Sequence, residues 1–477
     1  MIKYLIPYTV SLAVFVAGMK TLPMGAVLFL ILAGVAYFAC RKYGQLAFVV
    51  AALVFAQTLS HQLVGPGPYT RHLIRGGLVF LLLLCACARL NKRIRYTLPY
   101  AGLFAYVVYM IIPSTFGWFP AISYLKILFF MTYVYGLLCC GYLAVTSPDG
   151  VLHLRMGVLS IAAFYIWGSA ISYFFPSVGF SMQISKASIY GISAAESLSN
   201  SVTLFSGLFF HSQTLGPVVA ILTGLILCDM LFVEHKFTIG HIMAASPGPI
   251  VMYMSRSRTA LLTFAVLIFV GVYIAARDSS LPALVKRRVR FIAFGVAFCV
   301  LGLAVTLEVT RGTMSNWILK GVDVSMQGHT VTDITGSRLG KVDENLYDFR
   351  KNPYIGKGFQ THELHRALFR EGVINYFFAP VEKGVLPLMI LGEGGVLGGV
   401  LFVAFIMHFI AGCTRKRMFA QVVLFAGFIA ANMGEAMFFS PSAAGGDMWL
   451  IVIFGGLAID VSADLRRLAM WNGQMTM

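Results

Sequence analysis

The stretch VLPLMILGEGGVLGGVLFVAFIMHFI, residues 385–410, decides the class of fold. It is almost entirely apolar, and about 20 such residues are enough for a helix to cross a bilayer. The rest of the 477-residue chain has the same character, with 58% hydrophobic residues, 12% charged residues and a mean hydropathy of +0.82. This composition excludes a set of soluble domains and indicates an integral membrane protein.

Apolar stretches of spanning length recur along the chain, so we expect an all-α polytopic fold with about 12 to 14 transmembrane helices. The predicted spans are 2–18, 22–40, 45–62, 73–90, 97–113, 122–145, 152–175, 206–232, 239–254, 259–276, 291–307, 385–410, 418–438 and 447–461. The first span is interpreted as a retained helix, with a cleaved signal peptide as the alternative. The span 239–254 is short and contains Pro247 and Pro249.

The formal net charge of +17 is spread in clusters along the chain and does not form one basic patch. The basic clusters lie in alternate gaps between predicted spans, at Arg41-Lys42, Arg89 to Arg95, Arg277 to Arg290, Arg415 to Arg417 and Arg466-Arg467. This alternation follows the positive-inside rule, so we expect these gaps and both termini in the cytoplasm. The high charge is thereby explained without a nucleic-acid partner.

The longest polar gap, residues 308–383, separates a helix bundle (1–307) from a C-terminal group of helices (384–477) and is predicted to lie outside. Apolar residues recur there at helical spacing, at Leu339, Val342, Leu346 and Phe349, before a stop at Asn352-Pro353. Residues 362–375 form a second such segment. Both predict short amphipathic helices, which either cover a cavity in the bundle or lie on the surface without a role in chemistry.

The first candidate site is SRSR, residues 255–258, in the predicted outer turn before the span 259–276. Arg256 and Arg258 break the positive-inside pattern, and arginines at a membrane face cost free energy unless they are paired or solvated. Guanidinium groups bind phosphate oxygens in a bidentate geometry, so an anionic ligand in the membrane plane would satisfy them. Snorkelling, or pairing with a loop carboxylate, is the alternative.

The second candidate site is FHSQTLG, residues 210–216, near the outer end of the span 206–232. Polar side chains within a span usually face the interior of a bundle and mark a cavity. His211 and Gln213 have the groups needed to hydrogen-bond sugar hydroxyls. They could equally well tie neighbouring helices together.

The third candidate is Arg338, followed by NPYIGKGF at residues 352–359. The Asn-Pro pair and the glycines are typical of turns. Gly356 and Gly358 are too few, and are not followed by a helix, for a nucleotide-binding loop. We therefore expect no nucleotide site.

The fourth candidate is HELH, residues 362–365, whose composition suggests zinc. A zinc protease helix places its histidines four apart with a glutamate between them, whereas His362 and His365 are three apart and lack an obvious third ligand. We expect no metal here. A general base or a surface pair is the better interpretation.

The fifth candidate is the pair Glu382-Lys383, just before the span 385–410. A carboxylate at the membrane boundary beside a lysine could act as a base towards a sugar hydroxyl. It could also be an ordinary ion pair that anchors the loop. The glycines that follow, from Gly392 to Gly399, suggest close helix packing.

In this order the motifs resemble those of the superfamily of O-antigen ligases and O-antigen polymerases, glycosyltransferases of the bacterial inner membrane. HSQTLG resembles the family's polar-LG motif, and SRSRTALL resembles its Ser-Arg motif. The stretch from Arg338 through NPYIGKGF, and then EKG with LGEGGVLGG, resembles the remaining pattern of the family. The resemblance covers residues 206–400, while residues 1–200 contribute hydropathy alone.

The resemblance implies a multi-pass enzyme that acts on undecaprenyl-diphosphate-linked glycans at the periplasmic face without a metal, nucleotide or other cofactor. Arg256, Arg258 and Arg338 would hold the lipid diphosphate. Flippase and chain-length-regulator proteins would be candidate partners. The sequence has Glu382-Lys383 where ligases commonly have His-Asn, so the order of candidate bases is Glu382, His365 and His362.

The presence of Glu382-Lys383 in place of His-Asn favours a polymerase of exopolysaccharide, capsule or O-antigen. A ligase that transfers glycan to lipid A core is the first alternative. A transporter of lipid-linked oligosaccharides is the second.

Overall fold

A computed structural model describes the protein over most of its length. The described residues are 2–60, 63, 68–89, 99–174, 180–185, 201–209, 212–236, 238–255, 257–277, 342, 345–360, 385–434, 436–441 and 444–471. Apart from one two-stranded hairpin, these residues form helices and their connections. The expected all-α polytopic fold is confirmed.

The helices of the first half are α1 (Ile2–Thr21), α2 (Pro23–Ala39), α3 (Tyr43–Thr58), α4 (Pro68–Cys87), α5 (Ala101–Tyr109), α6 (Ile111–Thr115), α7 (Pro120–Ala144) and α8 (Pro148–Phe174). The hairpin consists of β1 (Phe180–Ser185) and β2 (Ser201–Gly207). The helices that follow are α9 (Ser212–Cys228), α10 (Ile239–Ala245), α11 (Pro247–Met254), α12 (Arg258–Arg277), α13 (345–351), α14 (Leu386–Arg415), α15 (Phe419–Asn432), α16 (Ala444–Leu450) and α17 (Gly456–Trp471). Short π-helical segments extend α9 (Asp229–Glu234) and join α16 to α17 (Ile451–Gly455).

Seven of the described helical segments are long and apolar enough to cross a membrane. Five shorter apolar helices accompany them, at Leu5–Thr21, Pro23–Ala39, Tyr43–Thr58, Ala101–Thr115 and Phe419–Asn432. Every predicted span overlaps a described helix except 291–307, which lies outside the described residues. The span 418–438 was predicted too long, because α15 ends at Asn432. The protein is therefore a multi-pass membrane protein.

The hairpin was not predicted, and it moves the start of one span. The span 206–232 was predicted to begin at residue 206, but β2 continues to Gly207 and α9 begins only at Ser212. Strands β1 and β2 pair antiparallel, with Ser181 opposite Phe205 and Ser185 opposite Ser201. The apolar residues at 204–209 gave the same hydropathy signal as the start of a helix, and hydropathy alone does not separate the two.

The predicted span 239–254 is two short helices. Helix α10 ends at Ala245 and α11 begins at Pro247, because proline has no N–H for the helical ladder and fits the first turn of a new helix. Within the polar loop, α13 ends at residue 351, immediately before Asn352-Pro353, as predicted. The other amphipathic segment, 362–375, lies outside the described residues.

Helix α9 forms the centre of the bundle and is almost entirely buried, whereas α12 and α14 expose most of their length as expected for lipid-facing helices. Aromatic rings fill the core beside α14 and α15, where Phe425, Phe428, Phe438 and Trp449 contact one another. The end of the bundle at which α3, α8, α11 and α15 finish and α4, α7, α9, α12, α14 and α16 begin is called the motif end. The opposite end, with Arg41, Arg277, Arg415 and Arg466, is called the basic end.

Candidate functional site

The described part of HSQTLG packs directly against the SRSR turn. Gly216 lies in the first turns of α9. A Cβ added to Gly216 would lie 2.6 Å from Ser255 Oγ and 2.6 Å from Ser257 Cβ, so glycine is what allows α9 to approach this turn. Both serines are buried. Two motifs that are distant in sequence therefore form one contact.

Arg258 is the first residue of α12, and its side chain is partly buried. The N-terminus of a helix carries partial positive charge and unsatisfied N–H groups, which favour anions and disfavour a cation. An arginine at this position therefore adds a full positive charge to a helix end that already attracts anions. The combination is chemically suited to phosphate oxygens.

NPYIGKGF docks into a break in α14. Within GEGG, Gly395 has φ 63° and ψ −166°, so the helical ladder is interrupted there. The loop fills the interruption: the N–H groups of residues 357 and 358 donate to the carbonyls of 392 and 393, at 3.1 and 3.0 Å. In return the N–H groups of 396 and 397 donate to the carbonyls of 353 and 354, at 2.8 and 3.3 Å. In an unbroken helix, 396 and 397 would have bonded to 392 and 393 themselves.

Close backbone approach at this junction requires glycine on both sides. Gly356 has φ 82°, and a Cβ there would lie 2.3 Å from the Glu393 carbonyl carbon. A Cβ on Gly395 would lie 2.4 Å from the Tyr354 carbonyl oxygen. The glycines from Gly392 to Gly399 were predicted to serve helix packing, and Gly398 does lie against Tyr106 and Tyr109 of α5. Gly395 has the different role of receiving the loop.

The end of NPYIGKGF is anchored in the bundle. Phe359 is fully buried, with its ring 5.3 Å from Phe439 and 6.4 Å from Phe130. The Gln360 side chain donates to the Phe439 carbonyl at 2.5 Å, and Lys126 of α7 donates to the Gln360 carbonyl at 2.8 Å. Two residues before Phe359, Lys357 forms a buried ion pair with Asp348 of α13.

The segment between α15 and α16 links the two motif contacts. A Cβ on Gly434 would lie 2.0 Å from Thr259 Oγ1, directly after Arg258 in the chain. A few residues later, Phe439 contacts Phe359 and receives the Gln360 hydrogen bond. The described parts of HSQTLG, SRSR, NPYIGKGF and LGEGG are thus gathered at the motif end.

Among the predicted site residues, the structure describes Arg258 and the backbone of Gln213, which lies in the first turn of α9. The other residues lie outside the described ranges: Arg256, Arg338, His211, Glu382, Lys383, His362 and His365. Their predicted roles remain predictions.

Further charged residues at the motif end were not singled out from sequence. Arg71 and Arg75 lie four apart in the first turns of α4, hence on one helix face, and both are partly buried. Lys126 lies in the first turns of α7. Charged residues inside or beside predicted apolar spans are a general signal of function, and this signal was present for Arg75 and Lys126.

The basic end contains a buried ionic network that sequence analysis missed. Arg155 of α8 donates through Nε to Asp229 Oδ1 (2.6 Å), and through Nη2 to Asp229 Oδ2 (2.8 Å) and Glu234 Oε1 (2.6 Å). His241 Nε2 of α10 lies 2.8 Å from Asp229 Oδ2, and Arg466 of α17 pairs with Glu234 at 3.4 Å. In an α-helix, residues five apart point about 140° away from each other, whereas the π-helical segment turns Asp229 and Glu234 towards one arginine.

A scan against models of known protein families found no match, and a search of curated proteins found none either. The class that the fold defines is a multi-pass, all-helical membrane protein.

Proposed function

We propose that the chain is a polysaccharide polymerase of a bacterial inner membrane, which joins undecaprenyl-diphosphate-linked oligosaccharide repeat units at the periplasmic face. The observation that carries this proposal is the gathering of four motif segments at one end of the bundle, around an arginine at a helix N-terminus. With the basic end in the cytoplasm, as the positive-inside rule favours, the motif end faces the periplasm.

The proposed reaction forms one glycosidic bond and breaks one bond to phosphate. A sugar hydroxyl of one lipid-linked repeat unit attacks the anomeric carbon of a second lipid-linked glycan. The bond from that carbon to the diphosphate oxygen breaks, and undecaprenyl diphosphate leaves with the electron pair. A base takes the hydroxyl proton, with Glu382 preferred to His365 and His362.

The leaving group carries most of the charge that the protein has to stabilise. Positive groups aimed at the diphosphate oxygens lower the barrier to its departure, which is the role proposed for Arg256, Arg258 and Arg338. The N-terminus of α12 adds N–H groups beside Arg258. His211, Gln213 and Lys383 are proposed to hold sugar hydroxyls of the substrates.

Deletion of the gene, followed by sizing of the lipid-linked and secreted glycans, tests the proposed function. We expect loss of long polymer and accumulation of single lipid-linked repeat units on the periplasmic side. Accumulation of long lipid-linked polymer would instead identify a ligase. Accumulation of single units on the cytoplasmic side would identify a transporter.

Complementation with point variants tests the role of Arg258. We expect Arg258→Ala to abolish chain extension, because the leaving diphosphate loses a cation. Arg277→Ala is the matched control, since Arg277 ends the same helix at the basic end and lies over the Tyr273 ring at 4.6 Å. Normal polymer from Arg258→Ala, at a normal protein level, would contradict the diphosphate site.

A further inference from the structure

Lys126 of α7 is a positive charge inside a membrane-spanning helix. The helix begins at Pro120 at the motif end, so Lys126 lies about 9 Å along its axis. With 25 residues, α7 is about 37 Å long and exceeds the hydrocarbon core of about 30 Å, which places Lys126 near the core boundary on the motif side. Ionisable residues within spans are costly and are a general signal of function.

Lys126 lacks a counter-charge among the residues that the structure describes. Its Nζ donates to the Gln360 carbonyl at 2.8 Å, and no carboxylate of the described residues pairs with it. An ammonium group has three N–H donors, so two remain for a further partner. A lysine that only snorkels extends its amine into water. The Lys126 side chain is instead partly buried and held against the backbone.

The acceptor of this hydrogen bond is held in a strained conformation. Gln360 has φ 51°, a left-handed conformation that costs free energy for residues other than glycine. Two hydrogen bonds offset this cost: the Gln360 carbonyl accepts from Lys126, and the Gln360 side chain donates to the Phe439 carbonyl. The end of NPYIGKGF is therefore fixed beside the Lys126 amine. Backbone strain of this kind is concentrated at ligand sites.

Two further basic residues lie at the level of Lys126 on the neighbouring helix. Helices α4 and α7 both begin at the motif end, and a Cβ on Gly136 of α7 would lie 2.6 Å from Leu82 Cβ of α4. From this contact towards the motif end, Arg71 lies about 16 Å away along α4 and Lys126 about 15 Å away along α7. Arg71 and Arg75 share the α4 face of Leu82, since they precede it by about three and two turns. The corner between α4 and α7 is therefore rich in basic side chains.

This corner is distinct from the Arg258 site but lies close to it. Gly434, after α15, lies against Thr259, the residue that follows Arg258. Later in the same segment, Phe439 receives the Gln360 hydrogen bond. Five residues of extended chain reach at most about 17 Å, so the two contacts lie within that distance of each other. The motif end thus has two centres of positive charge, one at each end of this stretch.

We propose that Lys126 is the central cation of a second phosphate site at the motif end, which holds the phosphate group of a lipid. Lipid phosphates lie just outside the hydrocarbon core, at the boundary that Lys126 approaches, and an ammonium group binds phosphate as a point charge.

The assignment of this phosphate to the acceptor substrate rests on the proposed polymerase function. The proposed reaction joins two lipid-linked substrates, and the acceptor keeps its diphosphate throughout. Its phosphate therefore needs attraction but no stabilisation as a leaving group, which a lysine supplies. A phospholipid headgroup has the same chemistry and is the other source of the phosphate.

Binding of farnesyl diphosphate, a short polyprenyl diphosphate, to the purified full-length protein tests the site by native mass spectrometry. We expect two bound molecules per chain in the wild type and one in Lys126→Gln, because loss of a charge-assisted contact raises Kd about 10- to 100-fold. Glutamine retains an N–H donor for the Gln360 carbonyl but removes the charge, whereas Lys126→Arg retains both and should bind two. Lys351→Gln is the matched control, because Lys351 is exposed and lies over the Tyr347 ring at 4.4 Å.

Phosphatidylglycerol distinguishes the two sources of the phosphate. We expect the wild type, but not Lys126→Gln, to retain one molecule of it, and farnesyl diphosphate to displace that molecule. Retention that farnesyl diphosphate does not reverse would support the phosphate site and contradict its assignment to the acceptor.

Equal binding of farnesyl diphosphate by Lys126→Gln and the wild type would overturn the proposal and leave Lys126 as an anchor of the loop. Binding of a single molecule that Arg258→Ala removes would overturn it as well. If Lys126→Gln does not fold, the count in Arg258→Ala decides, since one molecule should remain bound there. Conversely, two molecules in Arg258→Ala and one in Lys126→Gln would contradict the Arg258 diphosphate site and support the Lys126 site.

Discussion

Replacing Arg155 with methionine removes the central cation of the buried network at the basic end while keeping most of the side-chain volume. Asp229, which is 0% exposed, would then retain His241 as its neighbour, and Glu234 would retain Arg466. The variant leaves carboxylates buried without their principal partner. We therefore expect a large loss of stability with little effect on residues at the motif end.

The magnitude follows from the contacts. Arg155 makes three charge-assisted hydrogen bonds to Asp229 and Glu234. At about 1.5 to 3 kcal/mol each, their gross contribution is about 5 to 9 kcal/mol. The measured loss should be smaller, about 3 to 5 kcal/mol. The variant no longer has to bury a charged guanidinium group, and His241 and Arg466 still lie beside Asp229 and Glu234.

Thermal unfolding monitored by size-exclusion chromatography measures this loss. At about 2 °C per kcal/mol, 3 kcal/mol corresponds to a fall in Tm of roughly 6 °C. Arg467→Met is the control, because the pair of Arg467 with the exposed Asp464 should contribute about 1 kcal/mol or less. The double variant Arg155→Met/Asp229→Leu should recover part of the loss, since it also removes the fully buried carboxylate that the single variant leaves without its arginine, while Glu234 keeps Arg466. A loss no larger than that of the control, or a double variant no more stable than the single one, would refute the reasoning.

Two substitutions at the motif end have sharp expected outcomes. Gly216→Val places a branched side chain where Ser255 and Ser257 already lie at 2.6 Å, so we expect it to separate α9 from the SRSR turn. In the complementation assay this variant should abolish polymer. The control Gly76→Val, where the space around the glycine is open, should leave polymer unchanged. Phe359→Ala removes a fully buried ring from the contact with Phe439, which should cost about 3 to 5 kcal/mol and lower the Tm; an unchanged Tm would mean that NPYIGKGF is not anchored there.

Hydropathy was sufficient to predict most helices because a spanning helix in lipid satisfies its own backbone and needs only an apolar surface. It could not predict the break at Gly395, because both halves of α14 are equally apolar and the break is explained by a loop that precedes it in the chain. The stop before Asn352-Pro353 was predictable, since proline acts on its immediate neighbours. The hairpin was not predictable in this way, because the pairing of β1 with β2 depends on residues on both sides of the intervening loop.

For the candidate site, the sequence indicated which segments matter but not how they meet. The order of HSQTLG and SRSR along the chain does not show that the two motifs touch. The contact of Gly216 with Ser255 depends on the packing of α9 against α11 and α12. The ionic network was harder to predict. Arg155 and Glu234 lie close to predicted gaps, where charges are ordinary, and only the π-helical segment brings Asp229 and Glu234 to the same partner.

The break in α14 also constrains the order in which the protein is made. The carbonyls at 392 and 393 and the N–H groups at 396 and 397 have partners only once residues 353–358 are in place. Lipid offers no substitute for these bonds, so α14 should not leave the insertion machinery for the bilayer with this turn unfilled. Residues 353–358 precede α14 in the chain and are therefore synthesised first. Docking of the loop and insertion of the helix are consequently steps of a single assembly event.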